Sequence, residues 1–166
     1  MKFWKMNGAG NDFIVIDNRD GTVDAAQWPR IARTLCERHL SLGADGLMVV
    51  ERPANGGDYR MLFLNSDGSI GEMCGNGARC ICRYGYENGL AGDVQRVETT
   101  AGLVTGWRVC DVSGQGLPGF LCRRHARGLR GGCGADRRHG VGLRLRGVGG
   151  SRHSPCGGAG EEPAGL

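Results

Sequence analysis

The sequence predicts an α+β fold with a mixed or antiparallel sheet. About six short apolar segments have the character of strands, and two further segments have the periodicity of helices. Strands and helices do not alternate regularly along the chain, which argues against a doubly wound parallel sheet. A sharp change of composition after Val109 limits this domain to residues 1–109 of the 166.

The strands are predicted from apolar, β-branched runs that lie between turn signals. From the N-terminus these runs are Lys2–Met6, Phe13–Asp17, Leu47–Glu51, Tyr59–Leu64, Val94–Thr99 and Leu103–Val109. Ser66–Ser69 supplies a tight turn after the fourth run. Thr100–Gly102 joins the last two runs into a hairpin.

The two helices are predicted from periodic apolar residues. The first begins near Trp28, because a proline at the next position suits a first helical turn. Its apolar face is predicted to hold Ile31, Leu35 and either Arg38 or His39. The second helix ends at an Asn-Gly pair, which is a natural C-terminal stop. Small and apolar residues at helical spacing form its face, and these are Ala78, Ile81, Cys82, Gly85 and Tyr86.

The chain after Val109 has a different composition. Residues 1–109 contain 12 Lys and Arg against 13 Asp and Glu, whereas residues 110–166 contain nine Arg against four acidic residues. This second part also has 16 glycines in 57 positions, a single aromatic residue at Phe120, and no Ile, Met, Trp or Tyr. So few bulky apolar side chains cannot bury enough surface to offset chain entropy. We therefore predict a disordered Gly/Arg-rich tail over residues 110–166.

Three interpretations of this tail are possible. An Arg/Gly-rich RNA-binding segment would interleave aromatic residues with short repeats, and the tail has no such repeats. A structural zinc module would need closely spaced cysteines, and the tail has no C-x₂₋₄-C pair. The third interpretation, which we favour, is GC-rich coding DNA that is translated out of frame. It accounts for the abundant Gly, Arg, Cys, His and Pro and for the missing Lys, Asn, Ile and Tyr.

The sequence has no feature that predicts secretion or membrane insertion. No apolar run approaches the ~18 residues that cross a bilayer, and the N-terminus lacks the apolar core of a signal peptide. The eight cysteines are therefore expected to be reduced thiols in a cytoplasmic protein without a membrane partner. The net charge of +4 comes from the tail, so it does not predict a nucleic-acid partner for the domain.

Two glycine-rich segments could form a binding site. Gly8–Asp12 lacks the third glycine of a dinucleotide fingerprint and precedes a strand instead of a helix, so we expect a turn with positive φ angles. Met73–Cys80 places a cysteine directly before the second helix, where unpaired N–H groups and the helix dipole favour a thiolate or a bound carboxylate. This arrangement suits proton abstraction from, or nucleophilic attack on, a small carboxylic acid. The alternative is that Cys74 is a buried structural thiol. No C-x₂-C pair follows, so no metal site is predicted.

Four motifs in register resemble the N-terminal half of the diaminopimelate epimerase family. They lie at Lys5–Phe13, Leu64–Ser69, Met73–Cys80 and Thr99–Gly102, and the resemblance covers essentially all of residues 1–109. Arg38-His39 and Gly43–Gly46 fit the same family pattern. The resemblance implies two similar domains that face each other across the active site. Each would have a mixed sheet wrapped around a helix.

The resemblance also implies an activity and a set of site residues. The resemblance implies an isomerase of lysine biosynthesis that interconverts LL- and meso-diaminopimelate without a cofactor. One cysteine from each domain acts, one removing the α-proton and the other returning a proton on the opposite face. By position, Cys74 matches the catalytic cysteine of the N-terminal domain. The substrate-binding positions are matched by Asn11, Asn65, Gly75 and Asn76. Some members have a substrate-contacting glutamine where this chain has Gly46, so no side-chain contact is predicted there.

The tail departs from the family, because residues 110–166 lack the Glu-Arg-Gly and Ala-Cys-Gly-Thr-Gly motifs of the second domain. A single thiol cannot serve both faces of the α-carbon, so we expect this chain to be inactive or severely impaired alone. One alternative is a related racemase of the proline or hydroxyproline type, which the motif at Gly8–Phe13 disfavours. Another is a non-enzymatic protein whose basic tail binds nucleic acid. The expected partner is diaminopimelate, and because the family often pairs, a homodimer is compatible with the sequence.

Overall fold

The computed structural model describes residues 1–109 and 119–124. The strands in chain order are β1 (Phe3–Gly8), β2 (Asn11–Asp17), β3 (Gly46–Glu51), β4 (Tyr59–Asn65), β5 (Val94–Thr99), β6 (Gly102–Val109) and β7 (Gly119–Arg124). The helices are α1 (Trp28–Cys36), which a short 3₁₀ turn at Ala25–Gln27 precedes, and α2 (Gly75–Glu87). The predicted α+β fold is confirmed. Neither α1 nor α2, the α-helices of the described part, has the length and apolar composition that crossing a membrane requires.

The seven described strands form one sheet whose spatial order is the order of the chain. Four neighbouring pairs are antiparallel, namely β1–β2, β3–β4, β5–β6 and β6–β7. The pairs β2–β3 and β4–β5 are parallel. A parallel pair needs a crossover connection, and here α1 connects β2 to β3 and α2 connects β4 to β5. The sheet is therefore mixed.

The sheet curls around α2. This helix contacts β1 and β2 near one end of the sheet and β5, β6 and β7 near the other. Nearly all of its residues from Gly77 to Gly85 are buried, including Cys80 and Cys82. Two buried hydrogen bonds tie it to the strands, from Tyr59 Oη to the Ile81 carbonyl at 3.0 Å and from Gln95 Nε2 to the Cys82 carbonyl at 2.7 Å. The predicted sheet wrapped around a helix is confirmed.

α1 covers the opposite face of the sheet. Its buried residues are Trp28, Ala32 and Cys36, which pack with side chains of β2, β3 and β4. The strands β2 and β3 are buried on both faces, as expected when helices cover both sides. The predicted apolar face was wrong in part. Glu37 is extended and ends the helix, so Arg38 and His39 lie beyond it.

β7 belongs to the segment that was predicted to be a disordered tail. It pairs antiparallel with β6, and Phe120 is only 4% exposed because it packs into the core around α2. The prediction of disorder does not hold for these six residues, since the one aromatic side chain of the tail gives them an apolar anchor. The other residues of the predicted tail, 110–118 and 125–166, lie outside the described residues. The domain boundary at Val109 stays a prediction.

Candidate active site

The starts of β2 and β3, the end of β4 and the start of α2 lie at one edge of the sheet. Phe13 of β2 is opposite Gly46 of β3, which in turn is opposite Asn65 of β4. The β1–β2 turn lies at the same edge and has positive φ angles at Ala9 (53°) and Gly10 (94°), as predicted for this glycine-rich segment. Three of the four sequence motifs therefore meet at this edge.

Cys74 occupies the N-cap position of α2. Its backbone is extended, with φ −115° and ψ 123°, and its carbonyl accepts a hydrogen bond from the N–H of Ala78 at 2.8 Å. Its side chain makes no capping hydrogen bond and is partly exposed. A Cβ placed on Gly75 would meet no atom within 4 Å, so the space beside the first turn is open. A small molecule can therefore reach both the thiol and the helix start.

A chain of side-chain hydrogen bonds runs beside Cys74. Asn76 Nδ2 donates to Asn11 Oδ1 at 2.8 Å. Asn11 Nδ2 donates in turn to Asp45 Oδ2 at 3.2 Å. At the other end, the Arg79 guanidinium donates to Asn76 Oδ1. Two of the predicted substrate-binding asparagines are therefore in direct contact with each other.

Asp45 anchors this chain to the backbone. Its Oδ2 also accepts the N–H of Asp12 at 2.9 Å, and its Oδ1 accepts from Arg38 Nη2 at 2.8 Å. The pKa of Asp45 is lowered, chiefly by the hydrogen bond from the Asp12 N–H, with smaller contributions from Asn11 and Arg38. Asp45 is therefore a carboxylate at neutral pH.

Asn65, the remaining predicted substrate-binding residue, is not part of this hydrogen-bonded chain. Asn65 lies at the same edge, two strands away from Asn11, at the end of β4. Its Nδ2 donates to Ser69 Oγ at 2.9 Å, and its backbone N–H donates to the Ser69 carbonyl at 2.9 Å. The structure thus brings together Cys74, Gly75, Asn76 and Asn11, whereas Asn65 holds the turn after β4.

Close packing explains two glycines of this region. A Cβ on Gly46 would lie 2.5 Å from Cε2 of Phe63 and 2.8 Å from the Leu64 carbonyl oxygen. A longer side chain cannot occupy this position unless the Phe63 ring moves. A Cβ on Gly8 would lie 2.7 Å from Cys80 Sγ and 2.9 Å from the Asn76 carbonyl oxygen. Gly8 therefore lets β1 approach α2.

The cysteines of the described domain differ in environment. Burial raises the pKa of Cys36, and it raises the pKa of Cys80 to about 12. Cys82 lies 3.8 Å from Cys122, sulfur to sulfur, and this contact together with burial raises the pKa of Cys82. Within residues 1–109, Cys74 is thus the cysteine with solvent access. Among the described residues, no three His, Cys, Asp or Glu side chains are grouped so that they could hold a metal ion.

Gly75, which follows Cys74, is exposed, so this side of the site is open to solvent. Two hollows, of about 500 and 480 Å³, lie elsewhere, and Cys74 lines neither of them. The first lies against the N-terminal residues and the loop after β2. The second lies at the end of α1 and is lined in part by Asp45, the last residue of the hydrogen-bonded chain. Chemistry at Cys74 would need a further cover to exclude water.

A sequence model of the family described as diaminopimelate epimerase matches residues 3–113. The chain belongs to the diaminopimelate epimerase family. The diaminopimelate epimerase of Aquifex aeolicus is 45% identical over 111 residues, which cover 63% of this chain and 40% of that protein. The diaminopimelate epimerase of Caldanaerobacter subterraneus is 48% identical over 105 residues, which cover 63% of this chain and 36% of that protein. The chain thus spans about two fifths of the length of these curated diaminopimelate epimerases. The resemblance inferred from the motifs is confirmed, and the family is one of isomerases.

Solved structures share the fold. A Bacillus anthracis phenazine biosynthesis protein of the PhzF family has a TM-score of 0.55 at 20% identity. The match covers 69% of this chain and 38% of the Bacillus anthracis chain. A probable proline racemase from Agrobacterium radiobacter has a TM-score of 0.52 at 17% identity. The match covers 66% of this chain and 38% of the racemase chain. At such identities the likeness shows the fold alone. It therefore does not favour the proline-type alternative over diaminopimelate epimerase.

Sequence reasoning did not identify Asp45 and Arg79 as part of the site. Both lie within segments that fit the family, Gly43–Gly46 and Met73–Cys80, so the signal was present. Their contacts depend on tertiary structure, because Asp45 reaches Asn11 only when β2 and β3 pair in parallel.

Proposed function

We propose that this chain supplies one half of the active site of a diaminopimelate epimerase, in which Cys74 exchanges a proton with the α-carbon of diaminopimelate. The observation that carries this proposal is the position of Cys74 at the N-cap of α2, with no capping bond and open space beside Gly75. The family match and the named relatives support diaminopimelate as the substrate. The match covers the N-terminal part of those relatives, so the reaction of the whole site remains our proposal.

The start of α2 is suited to removal of the α-proton and to binding of the substrate carboxylate. The thiolate of Cys74 takes the α-hydrogen as a proton, and the electron pair of the C–H bond remains on the α-carbon, conjugated with the carboxylate. The first N–H groups of a helix have no acceptor within the helix, and the helix dipole adds positive potential there. In α2 these groups belong to Gly75, Asn76 and Gly77. They are suited to bind the carboxylate, whose charge increases as the proton leaves.

The asparagines are proposed to bind the polar groups of the substrate. Asn11 and Asn76 lie beside Cys74, so we assign them to the α-amino and α-carboxylate end. Asn65 lies two strands away at the same edge, so we assign it to the distal end. An amide offers both donors and acceptors, which suits a substrate that carries ammonium and carboxylate groups at each end.

Inversion needs a second proton donor on the opposite face of the α-carbon. By the family resemblance this donor is a cysteine of a second domain, which would also cover the open surface at Cys74. We propose that residues 110–166 are translated out of frame and that the chain alone does not epimerise diaminopimelate. One inserted or deleted base between the codons for Trp107 and Asp111 would restore the frame of the second domain.

The test compares the purified chain with a frame-restored protein. Conversion of LL- to meso-diaminopimelate is followed by chiral chromatography, and loss of the α-hydrogen in heavy water is followed by proton NMR. We expect no conversion by the chain, conversion by the frame-restored protein, and loss of conversion in its Cys74→Ala variant. Cys36→Ala is the matched control, because Cys36 is the last residue of α1 and is buried on the other face of the sheet.

Three results would contradict this proposal. Conversion by the present chain at the rate of a two-domain relative would mean that its tail supplies the second proton donor. Conversion by the frame-restored Cys74→Ala variant would remove the role of the thiol. Racemisation of proline by the frame-restored protein, without conversion of diaminopimelate, would favour the related racemase.

A further inference from the structure

The side-chain amides of Asn11 and Asn76 are each held between the other amide and a charged residue. Reading from one end, Arg79 donates to Asn76, Asn76 donates to Asn11, and Asn11 donates to Asp45. The donor direction is therefore the same along the whole chain. Arg79 is in the second turn of α2, and Asp45 lies directly before β3, so both ends belong to ordered elements.

The charged ends dictate how both amides are turned. A carboxylate can only accept hydrogen bonds, so Asn11 has to present its NH₂ group to Asp45. A guanidinium can only donate, so Asn76 has to present its carbonyl oxygen to Arg79. Only then does the NH₂ group of Asn76 meet the carbonyl oxygen of Asn11. Any other pair of orientations would place two donors or two acceptors against each other.

Asp45 is itself held in place on several sides. Its backbone N–H donates to the Asp12 carbonyl at 2.9 Å, and its carboxylate accepts the Asp12 N–H at 2.9 Å. Arg38 pairs with Asp45 Oδ1 at 2.8 Å and lies 3.5 Å from Asp12 Oδ2. The carboxylate therefore cannot rotate away from Asn11 without losing these contacts.

We propose that Asp45 and Arg79 are positioning residues that preset the orientations of the Asn11 and Asn76 amides before substrate binds. In this arrangement each amide keeps one N–H and one lone pair for a ligand. The site thus offers a fixed pattern of donors and acceptors beside Cys74. The orientation of the amides stands on the hydrogen bonds alone, whereas its importance for substrate binding rests on the proposed function.

The first test measures amide orientation without substrate. In the isotope-labelled full chain, NMR follows hydrogen exchange of the side-chain NH₂ groups of Asn11 and Asn76. We expect Asp45→Ala to speed exchange at Asn11 about tenfold, because one charge-assisted hydrogen bond is lost. Asp45→Asn keeps one acceptor oxygen and is expected to recover part of the protection. Asp58→Ala is the matched control. Like Asp45, Asp58 accepts a backbone N–H and forms an ion pair with an arginine, and in its case both groups belong to Arg96.

Arg79→Met is expected to speed exchange at Asn76 in the same way. The proposal would be overturned if Asp45→Ala left the exchange rate at Asn11 unchanged. It would also be overturned if Asp58→Ala changed that rate as much as Asp45→Ala does. If Asp45→Ala does not fold, the comparison of Asp45→Asn with the unaltered chain decides the same question, since Asn11 then loses a charged acceptor.

The second test concerns the ligand. Titration with diaminopimelate is followed at the backbone amides of residues 74–77, and we expect Asp45→Ala to weaken binding about tenfold. Because Asp45 acts through Asn11, Asn11→Ala with Asp45→Ala should bind no more weakly than Asn11→Ala alone. Additive losses would overturn the positioning role. If the unaltered chain does not respond to diaminopimelate, the proposed function fails for this chain, and the exchange rates still decide the orientation of the amides.

Discussion

Asn76 Nδ2 donates to Asn11 Oδ1 at 2.8 Å, although the two asparagines are 65 positions apart in the chain. This hydrogen bond ties the first turn of α2 to the start of β2 and holds the helix start against the β1–β2 turn. It explains why the motifs at Lys5–Phe13 and Met73–Cys80 form one site.

Cys74 is expected to be alkylated before Cys36, Cys80 and Cys82 when the folded protein is treated with iodoacetamide. Only a thiolate attacks the carbon of iodoacetamide and displaces iodide at a useful rate. Burial raises the pKa of Cys80 to about 12 and also raises that of Cys36, so these two thiols react slowly. Mass spectrometry of peptides from short reactions gives the order of labelling. The same reaction in urea is the control, because unfolding should remove the differences. Labelling of Cys36 or Cys80 ahead of Cys74 in the folded protein would contradict the assignment of Cys74.

Gly8→Ala is expected to destabilise the protein by about 1–3 kcal/mol. The added Cβ would lie 2.7 Å from Cys80 Sγ and 2.9 Å from the Asn76 carbonyl oxygen, so β1 would have to move away from α2. Urea unfolding measures the change. Gly92→Ala is the matched control, because a Cβ there meets no atom within 4 Å. Equal stability of the two variants would mean that β1 and α2 are not in close contact.

The contribution of Asp45 to stability is expected to depend on pH. Its pKa is lowered in the folded protein, so the folded state binds a proton at Asp45 less readily than the unfolded state does. This stabilisation is present above the ordinary aspartate pKa of about 4 and is lost as the pH falls through the lower folded value.

Urea midpoints of the unaltered protein and of Asp45→Asn measure this effect. The difference between them should be largest near neutral pH and should narrow in acid below about pH 4. A difference that stays constant over this range would show that the carboxylate charge of Asp45 is not what stabilises the fold.

Phe120→Ala is expected to destabilise the protein by about 3 kcal/mol, because this side chain is 4% exposed in the core around α2. The measurement is again urea unfolding. Val94→Ala serves as the control, because Val94 lies in β5 and is 56% exposed. A Phe120→Ala variant as stable as the unaltered protein would mean that the disorder predicted from composition extends through β7.

Local sequence patterns were sufficient for most of the fold. The strands and α2 were predicted because their apolar runs and turn residues act over a few neighbouring positions. The end of α1 was missed, because helical spacing continued to Arg38 and His39 whereas the backbone becomes extended at Glu37. β7 was missed because composition is averaged over the tail, and one buried Phe is enough to anchor a short strand.

The candidate site was predictable only in part. Cys74, Gly75 and Asn76 are adjacent in sequence, so their position at a helix start followed from local reasoning. The contact of Asn76 with Asn11 and the role of Asp45 depend on strand pairing, which no local pattern specifies. Asn65 was predicted to bind the substrate, and the structure shows only that it holds the turn after β4.

The agreement between chain order and strand order has a consequence for how this protein folds. Each described strand after β1 pairs with the strand that precedes it in sequence, so the sheet can grow one strand at a time in the order of the chain. During synthesis, β1 to β4 can assemble as they emerge, and α2 can dock on β1 and β2 before β5 exists. The cysteine site at the start of α2 can therefore form early, before the strands that later enclose the helix are complete.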